Sequence, residues 1–196
     1  ISTLFALIAG IAIAILYVRE GGFEELTPFV IPGVSAYLIF ISTTVNGKWA
    51  KELKAPYTYL IPASSFAKLW NATVLQLLQN FINGLLITLP GAVVMEMSPV
   101  TAVFCVLFYT VLASNKLYAL AVAEIAVGGV LGVTGKQLFQ MLIQGIVIAV
   151  AALGAYLGSL LGGISGAYLI MDFVLVAFTL VFMIVAALNF DRMETA

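Results

Sequence analysis

Residues 48–69, K48-W-A-K-E-L-K-A-P-Y-T-Y-L-I-P-A-S-S-F-A-K-L69, form the one sizeable polar interruption in this chain and hold four of its eight basic residues. Around it, the sequence is 63% apolar and only 9% charged, where a soluble domain carries about 25% charged residues. A folded chain of this size cannot hide that much apolar surface from water. Several runs also reach the ~20 residues that cross a hydrocarbon core. The solvent for most of the molecule is lipid.

Working outward, the sequence predicts an all-α, polytopic membrane protein made of a single transmembrane domain, 1–196. Six helices are expected, at about 1–18, 28–46, 70–95, 99–127, 137–158 and 167–188, with a polar segment at 47–69 between the second and third. Pro28 suits a helix start, and Pro32-Gly33 marks a kink. Glu96 to Pro99 reads as a tight turn. In the fourth run, Lys116 is expected near the far interface, where its stem can snorkel, with Glu124 on an extension beyond it. Gly154, Gly158, Gly162 and Gly166 recur every fourth residue. They suit close helix packing running into a glycine-rich turn over 158–166.

Charge sets the orientation. Lys48, Lys51, Lys54, Lys68, Lys136 and Arg192 fall on one side, with Lys116 at its interface, whereas Arg19 falls opposite beside Glu20, Glu24, Glu25 and Glu96. The positive-inside rule makes the 47–69 side, and both visible ends, cytoplasmic. The expected location is the bacterial cytoplasmic membrane, crossed several times. The chain opens at Ile1 in an apolar run, without Met or a basic leader. The expectation is a trimmed first helix, or one downstream of further residues.

Composition excludes several functions. A net charge of −1 without a basic patch argues against nucleic acid as a partner. The absence of histidine removes His-based nucleophile pairs and His-ligated metal sites. The single cysteine, Cys105, reads as a small buried hydrophobe. The stretch G129-V-L-G-V-T-G-K136 faintly imitates a phosphate-binding loop, but the glycine spacing fails and Gln137 stands where Ser or Thr would bind magnesium. No catalytic, cofactor-binding or metal residues are expected in the chain itself.

Polar residues inside the apolar runs are the candidate functional groups. Thr73, Gln76, Gln79, Asn80 and Asn83 share one helix face, as do Gln137, Gln140 and Gln144. Amides bared to lipid would lose their hydrogen bonds, so both rows must face protein or water. Two readings stand side by side: hydrogen-bonded glue between helices, or the wall of an inward-open vestibule. Asp172, an intramembrane carboxylate without a cationic partner at its depth, is a further candidate for the pathway or for packing.

In the polar segment, Trp49 and Leu53 sit four apart among lysines, which suits a short surface helix. Pro56 ends that helix, and Ser64 or Ser65 can cap the next one. Tyr57, Tyr59, Leu60, Ile61 and Phe66 are many apolar groups for a loop in water, so membrane or a partner protein should cover them.

The pattern E52-L-K-A-P56-Y57-T-Y59-L60-I61-P62-A-S64-S-F66-A-K68-L69 between two spans resembles membrane subunits of type-2 ABC exporters. The likeness is closest to a bacterial group labelled putative ABC exporters, and it is most specific over about residues 45–145. The resemblance implies two six-helix subunits, identical or different, forming a pathway driven by two cytoplasmic ATPases. The loop between spans two and three would be the coupling element, with roles for Glu52, Pro56, Tyr57, Tyr59, Leu60, Pro62 and Lys68. ATP and Mg would be bound by the partner ATPase. The resemblance extends to exporters of amphipathic peptides of the phenol-soluble-modulin type, which makes such a peptide the expected cargo. The competing readings are a non-transporting membrane scaffold and a secondary transporter. The latter would need inverted repeats around paired ionisable groups, which the sequence does not show.

Overall fold

The computed structural model describes residues 3–19, 27–41, 62, 64–127 and 132–190. Most of the expected coupling segment, including Glu52, Pro56, Tyr57, Tyr59 and Leu60, lies outside them. The described residues build five helices: α1 (Thr3–Arg19), α2 (Thr27–Ile41), α3 (Ser65–Val94), α4 (Pro99–Val127) and α5 (Val133–Leu188). Three helical stretches are long and apolar enough to cross a membrane, Ser65–Val94, Pro99–Val127 and Thr134–Leu188, while Thr3–Arg19 and Pro28–Ile41 are shorter apolar helices.

Five helices correct the expectation of six. The fifth and sixth runs share one helical element of 56 residues, which drawn straight would reach about 84 Å, well over twice the ~30 Å hydrocarbon core. It does not run straight. Gly162 (φ −144°, ψ 20°) and Gly163 (φ 61°, ψ −146°) leave helical geometry, and positive φ of that kind is open chiefly to glycine. Past this point the chain doubles back. A Cβ added to Gly158 would collide with the Gly166 carbonyl oxygen, and one on Gly154 would lie 3.3 Å from both Ile170 and Val174. α5 is therefore a hairpin of an outward arm, 133–161, and a return arm, 164–188. The glycine-rich turn expected over 158–166 shrinks to two residues, because the flanking glycines serve the close approach of the arms.

Other boundaries move for local reasons. The third helix begins at Ser65, ahead of the span expected from about 70, and Ser64 caps it as expected by accepting from the Ala67 N–H at 3.3 Å. The second is described as helix only to Ile41. α3 ends with Glu96 at φ 50°. There the Met97 N–H reaches the Ala92 oxygen at 3.0 Å and the Glu96 N–H the Val93 oxygen at 3.4 Å, the Schellman pattern of a helix end. Ser98 then caps α4 through the Thr101 N–H at 3.2 Å, with Pro99 in the first helical position, where its missing N–H costs nothing. The turn expected at 96–99 is thus a stop signal followed at once by a start signal.

Packing is centred on α4, whose most extensive contacts are with α5, while α1 lies along α3. One core gathers Ile13, Ile31, Ile87, Leu112, Val147 and Tyr168 from all five helices. A second, smaller core around Leu69, Leu117, Tyr118 and Phe190 joins the start of α3 to the ends of α4 and α5. Large apolar side chains remain exposed along α1 and α5, among them Leu4, Ile15, Leu157 and Leu161. In water such a surface would be a liability; in a bilayer it is the lipid-facing belt.

Candidate translocation core

Each proline inside a helix frees a carbonyl four residues earlier, because it has no N–H to give. Pro32 frees the Pro28 oxygen, and the Tyr168 hydroxyl on the return arm donates to that oxygen. Tyr168 is fully buried, with its ring stacked between Phe29 of α2 (centroids 5.7 Å apart) and Phe104 of α4 (5.8 Å). Cys105 Sγ lies 3.4 Å from the same hydroxyl. Since that hydroxyl gives its one proton to Pro28, the thiol is the donor in the second contact. This seam ties α2 to α4 and α5.

Below Tyr168 a cavity of about 310 Å³ opens between α2, α4 and both arms of α5. Its α2 wall is Phe29, Pro32, Gly33 and Ala36; Phe108 and Leu112 face it from α4, Ile148 and Ala151 from the outward arm, and Met171 and Leu175 from the return arm. No atom lies within 4 Å of a Cβ built on Gly33, so the wall is open there.

One turn further along each of three helical segments the seam becomes polar. Asn115 Nδ2 donates to Thr179 Oγ1 at 3.4 Å, and Gln140 Nε2 donates to the Lys116 backbone oxygen at 3.2 Å. Thr179 Oγ1 itself donates to the Leu175 oxygen at 2.7 Å. Asn115, Gln140 and Gln144 are at most 1% exposed, yet among the described residues Asn115 Oδ1, Gln140 Oε1 and both amide atoms of Gln144 have no hydrogen-bond partner. Leaving a buried polar atom unpaired costs about 1–3 kcal/mol.

The sequence-predicted residues divide accordingly. Gln140 and Gln144 meet in this polar layer. The α3 row faces inward as its spacing predicts: Thr73, Asn80 and Asn83 are buried, and Gln76 and Gln79 half-buried. Within it, Gln76 Nε2 donates to Asn80 Oδ1 at 3.2 Å, Thr73 Oγ1 lies 3.4 Å from Tyr118 Oη, and Asn83 shares a hydrogen bond with Tyr109. Asp172 is buried on the return arm, with neither carboxylate oxygen partnered among the described residues. Of the residues expected to couple, Pro62 is exposed and Lys68 half-buried near the start of α3.

Sequence reading missed Tyr168, Asn115 and Thr179. Only Tyr168 had a signal, since Pro32 guarantees a carbonyl in want of a donor. It also left Glu124, on an extension of the fourth run, and Lys136, at the start of the next, as separate charges, whereas they pair at 2.7 Å between α4 and α5, with only 12% and 17% of their side chains exposed. Among the described residues no group of three His, Cys, Asp or Glu side chains could hold a metal ion.

The described residues form an all-helical bundle with apolar outer faces and an internal, partly polar seam, the architecture of a membrane protein. Residues 1–194 match the sequence profile of the family described as "Putative ABC exporter", and the chain belongs to that family. Comparison with curated proteins and with solved structures returns no match. Membership implies ATPase partners in general terms.

Proposed function

We propose that this chain is the permease subunit of an ATP-driven exporter in the bacterial cytoplasmic membrane. It forms one side of a pathway for an amphipathic substrate, a peptide in our reading, and pairs with a second membrane subunit. ATP hydrolysis belongs to cytoplasmic ATPase subunits that dock on residues 47–69, and this chain contributes no catalytic residue. What carries the proposal is the family match over 1–194, together with where the coupling segment sits. It follows α2, the helix that walls the cavity with Pro32 and Gly33.

The mechanism follows from that connection. A push on 47–69 reaches α2 and α3. α3 is packed along α1, whereas α2 is interrupted at Pro32 and held at that break by a hydroxyl from the return arm. α2 is therefore the movable wall, and its swing about Pro32-Gly33 opens or closes the cavity.

Co-purification and a reconstituted ATPase assay test the assignment. Tyr59→Ala and Leu60→Asp should each weaken ATPase association and abolish peptide-stimulated hydrolysis. Intact association and transport in both variants would sink the coupling role. ATPase association without any stimulation by amphipathic peptides would favour a scaffold instead.

A further inference from the structure

The cavity and the amide layer are consecutive turns of the same three helical segments. Leu112 lines the cavity and Asn115 lies three residues on; Ile148 lines it and Gln144 lies four residues back; Leu175 lines it and Thr179 lies four residues on. At about 1.5 Å per residue these steps are 4.5–6 Å, one helical turn each. Three independent segments thus change from apolar to amide or hydroxyl at the same level.

We infer that this seam is a binding site for a small uncharged amphiphile, with its alkyl or aryl part in the cavity and a hydrogen-bonding head, such as a hydroxyl or primary amide, on the Asn115–Gln140–Gln144 layer. The volume, about 310 Å³, lies at the lower end of the roughly 300–1,000 Å³ of ligand pockets. The head is defined by what the layer lacks: three side-chain carbonyl oxygens and one amide nitrogen, all unpaired among the described residues and buried one turn behind the cavity lining, so that the head reaches them by inserting past Leu112, Ile148 and Leu175. Exchanging the two atoms of Gln144 leaves that inventory unchanged. None of the three side chains is charged, and removing a charge from water costs far more than an amide can return. A phospholipid head is therefore the wrong occupant, and the site is built for cargo rather than for an annular lipid. This deepens the export reading and rests on it for the word cargo, but binding itself needs neither ATPase nor transport.

The test uses the full chain in phosphatidylcholine nanodiscs and two photoreactive probes. One is a long-chain primary alcohol with a diazirine on its alkyl chain; the other is the matched diazirine with methyl in place of hydroxyl. Peptide mapping should place the alcohol's labelling on the segments bearing Leu112, Ile148 and Leu175, about tenfold above the alkyl probe, as one charge-free hydrogen-bonded head would give. Gln144→Leu should erase that preference. Because neither polar atom of Gln144 has a partner among the described residues, this variant should keep the wild-type unfolding midpoint or exceed it. Ala152→Phe, which narrows the cavity from its exposed edge, should reduce labelling by both probes. Equal labelling by the two probes, or a preference that survives Gln144→Leu, would overturn the amide-head site. Absence of labelling at these segments would overturn the cavity as well. Either failure would leave the ATPase-coupling assay untouched, and failure of that assay would leave the binding result standing.

Discussion

Two helices of this bundle carry an internal proline, and the freed carbonyls are treated in opposite ways. In α2, Pro32 releases the Pro28 oxygen, which a side-chain hydroxyl from Tyr168 takes up. In α3, Pro90 releases the Leu86 oxygen, and there the backbone of α1 closes in. A Cβ on Gly10 would stand 2.5 Å from that oxygen and 2.9 Å from the Ile87 oxygen. The second seal is a Cα–H against a carbonyl, a weak contact made possible by having no side chain at all. One break is closed by a group that can let go, the other by two backbones in contact. On the proposed mechanism, the difference separates a wall that moves from one that stays.

The largest effect should come from filling the backbone seal. Gly10→Ala puts a methyl into two carbonyl oxygens that cannot rotate away, so a loss of about 2–3 kcal/mol, at the upper end of overpacking costs, should appear as a lower unfolding midpoint in detergent. Pro90→Ala should not rescue it, since the clash is steric.

Tyr168→Phe removes one oxygen atom, keeps the ring between Phe29 and Phe104, and leaves the Pro28 carbonyl unpaired. A loss of about 1–2 kcal/mol is expected. Here rescue should work. In a Pro32→Ala background the Pro28 oxygen regains an intrahelical N–H, so Tyr168→Phe should cost less there, with a coupling energy of about 1 kcal/mol in a double-mutant cycle. Additive losses would mean that the hydroxyl does not serve the proline break. The smallest effect lies at the end of α3, where Glu96 holds φ 50°. Glu96→Gly should stabilise by about 0.5–1 kcal/mol, measured as a rise in midpoint, because glycine adopts that conformation without steric cost.

What the sequence made legible follows from what is local. The Ser64 cap, the Ser98-Pro99 start and the inward faces of the two amide rows depend on residues within a turn of each other, and spacing alone exposes them. The hairpin in α5 was legible as a break at Gly162-Gly163 but not in extent. Gly154, Gly158 and Gly166 can signal either a turn or a close approach, and only the opposing arm decides. Asn115 against Thr179 and Tyr168 against Pro28 join residues 64 and 140 positions apart, and no periodicity within one helix encodes such a pairing. Glu124 read as a charge on an extension of α4 and Lys136 as the start of the next helix; their pairing at 2.7 Å joins two helices and is encoded in neither alone.

The moving-wall account is tested most directly by measuring two distances in one complex. Spin labels at Tyr37 on α2 and Leu142 on α5, and separately at Ile8 on α1 and Leu89 on α3, occupy exposed positions. With the ATPase partner bound, nucleotide should shift the Tyr37–Leu142 distance by at least the ~2 Å of a helix displacement, while the Ile8–Leu89 distance stays fixed. A shift confined to the α1–α3 pair, or equal shifts in both, would contradict the claim that α2 is the wall that moves.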